Sequence, residues 1–170
     1  MAAETMDAIA LLKADHRKVE GLFGDYESAK NPTRKKTIAQ EICLELTVHT
    51  RIEEDIFYPA CKSKIDDNLW HEAYVEHDCA KSVIAEIEGG DPGNEFYDAK
   101  VKVLSEMIKH HVNEEEKRAE GMFAQARAAG LDVDALGIQM AREKKQLTAA
   151  FKASGLPKPT RLAFVHAKAA

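Results

Sequence analysis

The sequence predicts an all-α protein, an up-down antiparallel four-helix bundle with an added C-terminal fifth helix and a short irregular tail. Three observations carry this. Apolar residues recur along most of the chain at about 3.6-residue spacing, the period of an amphipathic helix. Sustained alternation of β-branched residues, the mark of strands, is nearly absent. Gly, Pro and Asp/Asn clusters cut the 170 residues into long segments with short connections, which makes successive helices antiparallel neighbours.

The first helix is expected from about Thr5, a candidate N-cap, to Lys30, where Asn31-Pro32 ends it. The second starts near Thr33, runs into Pro59 and ends by about Lys64. Asp66-Asp67-Asn68 opens the third, which stops at Gly89-Gly90-Asp91-Pro92-Gly93. The fourth runs from about Asn94 to Ala129 and ends at Gly130, a C′ glycine. The fifth follows Asp132 and continues to about Ser154, after which Gly155, Pro157 and Pro159 mark a loose tail. Residues 1–130 are assigned to the bundle and 131–170 to the C-terminal helix and tail. The fifth helix carries Val133, Leu136, Met140, Leu147 and Phe151 at near-helical spacing. It is expected to pack on the bundle or to mediate self-association, so monomer and homodimer both stay open.

The composition, 45% hydrophobic and 31% charged, is that of a globular protein. A net charge of -5 argues against a nucleic-acid partner, which needs a clustered basic face; Arg34-Lys35-Lys36 reads as a solvated run. Three cysteines, Cys43, Cys61 and Cys79, with no Cys-x-x-Cys pair imply neither a disulfide framework nor a zinc knuckle. Idle thiols suit a reducing cytosol. The start, Met-Ala-Ala-Glu-Thr-Met-Asp, lacks the basic and apolar regions of a signal peptide, and no stretch is apolar enough to cross a membrane. The expectation is therefore a cytoplasmic protein without a membrane partner.

The predicted core faces hold an anomaly. Helix one shows Ile9, Leu12, His16, Val19, Phe23 and Tyr26; helix two shows Ile42, Leu46, His49, Glu53, Ile56 and Phe57. Helix three shows Trp70, Tyr74, His77 and Ile84; helix four shows Val101, Leu104, Ile108, His111, Glu115 and Met122. One histidine on an apolar face is ordinarily a hydrogen-bonded core residue. Four, one per helix, would each have to find a partner or bear desolvation, and a metal satisfies all of them together. His49 and Glu53, like His111 and Glu115, stand at i and i+4, which puts imidazole and carboxylate on one helix face. His16 to His49 is 33 residues and His77 to His111 is 34, and each first histidine follows an acid, Asp15 or Glu76. The chain thus reads as two similar helix hairpins related by a pseudo-two-fold axis. Mixed imidazole and carboxylate donors suit iron, manganese or zinc. Six donors can serve a dinuclear centre with open positions, whereas a single zinc would use only three or four of them.

These residues resemble the hemerythrin-like, HHE cation-binding family. The strings that carry the resemblance are Leu11-Leu-Lys-Ala-Asp-His16, His49-Thr-Arg-Ile-Glu-Glu-Asp-Ile-Phe-Tyr-Pro59, Glu76-His77 and His110-His-Val-Asn-Glu-Glu-Glu116, within about residues 5–129. The resemblance implies a four-helix bundle with a non-haem di-iron centre, two irons bridged by carboxylates and an oxo or hydroxo group. It implies the ligands His16, His49, Glu53, His77, His111 and Glu115, with Glu53 and Glu115 bridging and His16 and His77 terminal. It implies a protein that binds or senses dioxygen, nitric oxide or iron, with a redox or signalling partner to be identified. The alternatives are a di-iron enzyme acting on peroxide or nitric oxide and a structural metal bundle. Whether the chain is an enzyme stays open, because no acid/base pair beyond the ligands stands out.

Lys81 stands where oxygen carriers of the family have a further histidine, which argues against simple oxygen carriage. His110 is the alternative to His111. Tyr74 is either a packed core residue or a neighbour of the ligands, and Glu45 either orients a ligand imidazole or is surface. Asp15 and Glu76 are expected to face solvent, and His71 and His166 to be surface residues. No chemistry is assigned to the tail.

Overall fold

In the computed structural model, which describes residues 6–164, α1 spans Ala8–Ser28 and α2 Pro32–Ile52. A π-helical turn at Glu53–Phe57 joins α2 to the short α3, Tyr58–Cys61. Then follow α4 at Asp67–Glu88, α5 at Tyr97–Glu116, α6 at Met122–Ala128 and α7 at Val133–Ser154. No strand occurs among the described residues. The caps follow the chemistry of short polar side chains, which satisfy the otherwise unpaired first amides of a helix. Asp7 accepts from the Ala10 amide, Asn31 from Thr33 and Arg34, Asp66 from Leu69, and Asp132 from Ala135. The cap expected at Thr5 lies outside the described residues.

Helices α1 and α2 form one antiparallel hairpin and α4 and α5 the other, and the two pack into the expected four-helix bundle. Two apolar clusters flank the level of the histidines. One includes Ile9, Leu12, Ile52, Phe57, Met122 and Met140; the other includes Val19, Phe23, Ile42, Leu46, Ile84 and Leu104. Helix α7 lies against α1, α2 and the π turn. Its crossing depends on Gly137, where a Cβ would stand 2.3 Å from the Met6 carbonyl oxygen. Beyond α7 the chain forms a strap across α4. The amides of Leu162, Ala163 and Phe164 donate to the fully buried Asp78 at 3.1, 2.7 and 2.9 Å. The tail read from the sequence as loose is therefore anchored at residues 162–164.

The fourth helix also differs from its expected extent. It ends at Glu116 rather than Ala129, and a loop at 117–121 separates it from α6. The chain leaves the helix at Lys117, and the tight turn admits only glycine at 121, where a Cβ would meet the Glu115 carbonyl oxygen at 2.6 Å. Gly130, at φ 73°, ends α6 as anticipated. The three thiols are free, with Cys43 and Cys61 buried. No helix among the described residues is long and apolar enough to cross a membrane.

Candidate metal centre

The bundle brings all six predicted donors together between the two hairpins, each buried. Within the first hairpin the Nε2 atoms of His16 and His49 lie 3.2 Å apart; within the second, those of His77 and His111 lie 3.1 Å apart. Glu53 spans the halves through one oxygen, with Oε2 3.2 Å from His49 Nε2 and 3.3 Å from His77 Nε2. Glu115 spans them through two, with Oε2 3.3 Å from His16 Nε2 and Oε1 3.6 Å from His111 Nε2. Ligand atoms thus converge in two groups that share Glu53: His16, His49, Glu53 and Glu115 in one, Glu53, His77 and His111 in the other.

An outer ring of four acids faces the other ring nitrogen of each histidine. Asp15, just before His16, lies 3.5 Å from His49 Nδ1, and Glu76, just before His77, lies 2.7 Å from His111 Nδ1. Glu116, just after Glu115, lies 2.7 Å from His16 Nδ1, and Glu54, just after Glu53, lies 3.1 Å from His77 Nδ1. The rule is the same on both sides of the pseudo-two-fold. The acid before a hairpin's first histidine serves its second histidine, and the acid after its glutamate serves the opposite hairpin. Carboxylates on Nδ1 favour the Nδ1–H tautomer and aim each Nε2 lone pair inward.

Three of these acids carry a permanent cation behind them. Arg17 donates to Glu116 at 2.8 Å, Lys81 to Glu54 at 2.6 and 2.9 Å, and Lys144 of α7 to Asp15. Lys81 thus occupies the carrier-histidine position without facing the donors; it is engaged by Glu54, Asp78 and the Thr160 carbonyl.

Tyr58 breaks the symmetry. Its ring stacks on His77 at 5.2 Å, and its hydroxyl lies 2.9 Å from Glu115 Oε1, 3.1 Å from His77 Nε2 and 3.3 Å from His111 Nε2. On the other half, Phe123 stacks on His16 at 5.9 Å and brings no polar atom. The π turn puts Tyr58 there. An α-helix would carry a residue five beyond Glu53 roughly 140° past it, whereas an i→i+5 turn brings it back towards the Glu53 face. The Tyr58 amide bonds the Glu53 carbonyl accordingly, and Pro59, with no N–H of its own, cannot restore the α-helical ladder.

Several facts fit a cation to these residues. Glu53 Oε1 and Glu115 Oε2 are buried without a hydrogen-bond partner, which is costly in an apolar core. The inward nitrogens of each hairpin face one another at contact distance, and lone pairs so placed repel unless a proton or metal lies between them. Protons fill that role where metal does not. Burial works to lower the His49 pKa, but Glu53 and Asp15 override it and push it up to about 10. Burial likewise opposes protonation of His77, yet Glu53 and Glu54 push it up to about 9. Burial favours a neutral Glu53, and His49 and His77 outweigh it to hold the carboxyl well below its usual range. Burial, followed by the Glu115 and Glu53 carboxylates, drives the Tyr58 phenol well above its usual value.

Two expectations, on Asp15 and Glu76, are corrected here, and the alternatives left open at Glu45 and Tyr74 are decided. Asp15 is buried and Glu76 half-buried, both turned to histidines rather than to solvent, because each packs against the partner helix of its hairpin. Glu45 orients no imidazole and pairs with Lys18 at 2.7 Å. Tyr74 packs edge-on to Tyr58 at 5.3 Å and Trp70 at 4.7 Å, as a core residue does. His110 is exposed and outside the inner donors, His71 is exposed, and His166 lies outside the described residues. The residues missed are Tyr58, Glu54, Glu116 and Lys144. The repeated acid pairs Glu53-Glu54 and Glu115-Glu116 were a readable signal for two of them; nothing at 3.6-residue spacing points to Tyr58.

Two antiparallel hairpins with buried histidine and carboxylate donors facing across a pseudo-two-fold define an all-helical cation-binding bundle. The sequence matches the hemerythrin HHE cation binding domain over residues 7–123. The chain belongs to that family. A solved structure of a hemerythrin HHE cation binding domain-containing protein from Mycobacterium kansasii superposes with a TM-score of 0.74 at 22% identity, covering 89% of this chain and 95% of that one. A DNA nickase of Nostoc sp. (strain PCC 7120) is 26% identical over 113 residues, 66% of this chain and 32% of the relative. This chain spans about a third of that relative's length.

Proposed function

We propose that the chain holds two iron ions between its hairpins and takes up a diatomic molecule, dioxygen or nitric oxide. His16 and His49 would hold one ion and His77 and His111 the other, with Glu53 and Glu115 shared. Bound iron would supply the electrons that a diatomic ligand needs for tight or reactive binding. The observation that supports this reading best is a cavity of about 20 Å³ against all four histidines. It is walled by Val19, Leu46, Ala80, Met107, Ile108 and Val112. That volume admits one water-sized molecule.

The protein's own part is positioning and proton control. The outer acids fix the imidazoles, and the apolar wall keeps bulk water out. Tyr58 holds a proton 2.9 Å from Glu115 Oε1. Such a proton favours a second reading, turnover of peroxide or nitric oxide, because a reduced oxygen species needs a proton source that a simple carrier does not.

The first test is metal content together with the visible spectrum after anaerobic ferrous loading and then exposure to air. Two irons per chain and new charge-transfer absorption in air support the reading. One zinc, or a spectrum indifferent to air, leaves a structural metal bundle. Peroxide consumption against a metal-free control then separates the binding protein from the enzyme.

A further inference from the structure

Beneath the strap lies a second cavity, of about 250 Å³, between α2 and α4. At one end Lys81 bonds both Glu54 of α2 and the Thr160 carbonyl of the strap. The two helices run antiparallel, so Glu88 and Leu156, which also line it, lie towards the other end. Between the ends stand two cations, Arg51 of α2 and Lys158 of the strap. Their charge is not cancelled by the acids of the wall. Lys81 takes both oxygens of Glu54, at 2.6 and 2.9 Å. Burial, against the pull of Lys36, pushes the Glu88 carboxyl above its usual range. Arg51 pairs with Asp55 through Nη2 at 2.9 Å, but its Nε is buried without a hydrogen-bond partner. Lys158, exposed on the strap, makes no ion pair among the described residues.

We propose that the cavity beneath the strap binds a small monocarboxylate, its charged head between Arg51 and Lys158 and its apolar body against Ile84, Leu156 and Pro157. Two independent features point to it. The buried Nε of Arg51 costs free energy until an acceptor reaches it, and five donors let one guanidinium serve Asp55 and a second anion. Two like charges also share one cavity, an arrangement that an anion between them relieves. The planar guanidinium fork matches the two oxygens of a carboxylate. The apolar wall favours a hydrocarbon body over a bare inorganic anion, and the volume falls just below the range of drug-sized sites, so the occupant is compact. The cavity meets the metal centre at two points. Thr50, 6% exposed, lines both this cavity and the smaller one against the histidines. Lys81 is two hydrogen bonds from an inner donor, through Glu54 to His77 Nδ1 at 3.1 Å.

The test titrates the full chain, with whatever metal it carries as purified, with benzoate by isothermal calorimetry, and repeats the titration with benzyl alcohol and with inorganic phosphate. One saturating benzoate per chain is expected, with benzyl alcohol and phosphate each at least about tenfold weaker. Arg51→Met should weaken benzoate by at least about tenfold, the worth of a hydrogen bond to a charged group. Lys158→Met, at an exposed position, should weaken it by about two- to fivefold. Neither residue is an inner donor, so metal content should match the wild type in both variants. Absence of a saturating benzoate site overturns the proposal. So does equal binding of either control, or unchanged benzoate affinity in either variant. Failure of the iron reading would instead appear in the identity of the inner metal, on which benzoate binding does not depend.

Discussion

The two halves of the centre repeat their histidines and acids but differ in the ring stacked on a histidine and in the groups behind the acids. Around His16 and His49 the stacked ring is Phe123 and the outer cations are Arg17 and Lys144. Around His77 and His111 the stacked ring is Tyr58, and the groups behind the acids are Lys81 and the imidazole of His110. The repeat is kept in the four histidines, the two shared glutamates and the four acids. It is lost in the groups that touch the contents of the site or the solvent beyond it. The difference teaches that the pseudo-symmetric part can only hold cations, while the asymmetric part makes the two positions chemically distinct.

Glu53 gives the largest break in that comparison, since it serves both halves through one oxygen. Glu53→Ala is expected to empty both, leaving under about a tenth of wild-type metal, whereas His16→Ala or His111→Ala should spare the opposite half. Metal analysis of the purified variants decides it, and a full equivalent retained by Glu53→Ala would show that the halves do not depend on their shared carboxylate.

Proton release comes next. With pKa values near 10 and 9, His49 and His77 both carry protons at neutral pH when metal is absent. Loading must displace those two protons, so affinity should rise by about a hundredfold per pH unit between the ordinary histidine value and about pH 9. Calorimetry in buffers of different ionisation heat counts the protons. The metal-free fold has the opposite slope. Raised folded-state values for His49 and His77 stabilise it fully below about 6.5, and that contribution fades as pH rises through 9 to 10. The depressed Glu53 contributes above its ordinary value of 4.5, and its contribution is lost as pH falls through the depressed one.

Tyr58→Phe makes the halves alike. It should weaken the His77 and His111 half by about tenfold and leave the other unchanged. Stepwise affinities show this, and equal weakening of both would mean that the phenol acts through the shared Glu115. Lys81→Met and Lys144→Met should each cost about two- to fivefold on their own half, the usual worth of a partly exposed ion pair. Smallest of all, His71→Ala should leave metal content as it was, and a loss equal to that of His49→Ala would undo the ligand assignment.

Both the bundle and its six inner donors were legible in the sequence because each is written at helical spacing. His49 to Glu53 and His111 to Glu115 repeat one turn of α-helix, and the apolar stripes around them do the same. What escaped was written in other ways. Tyr58 is reached through a turn of a different period, so 3.6-residue counting put it on the wrong face. Asp15 and Glu76 looked solvent-facing because a side chain next to an inward histidine leaves its own helix sideways. In a hairpin, sideways is the partner helix. Lys144 belongs to a helix whose angle on the bundle depends on a close approach at Gly137, which no motif announces. The turn at 117–121, too tight at Gly121 for a Cβ, interrupts what reads by periodicity as one unbroken helix.

The strap on Asp78 has a consequence in time. Its three amides come from residues 84 to 86 positions later in the chain. Closing so long a loop is only slightly costlier than closing a short one, since the entropy grows with the logarithm of length. In a chain made from its N-terminus, however, the order of arrival is fixed. All six donors have been synthesised before Lys144 exists, and Lys144 before the strap. The nascent protein can therefore bring its six donors together while Asp15 is uncompensated and Asp78 still wet, and the strap docks on α4 only afterwards.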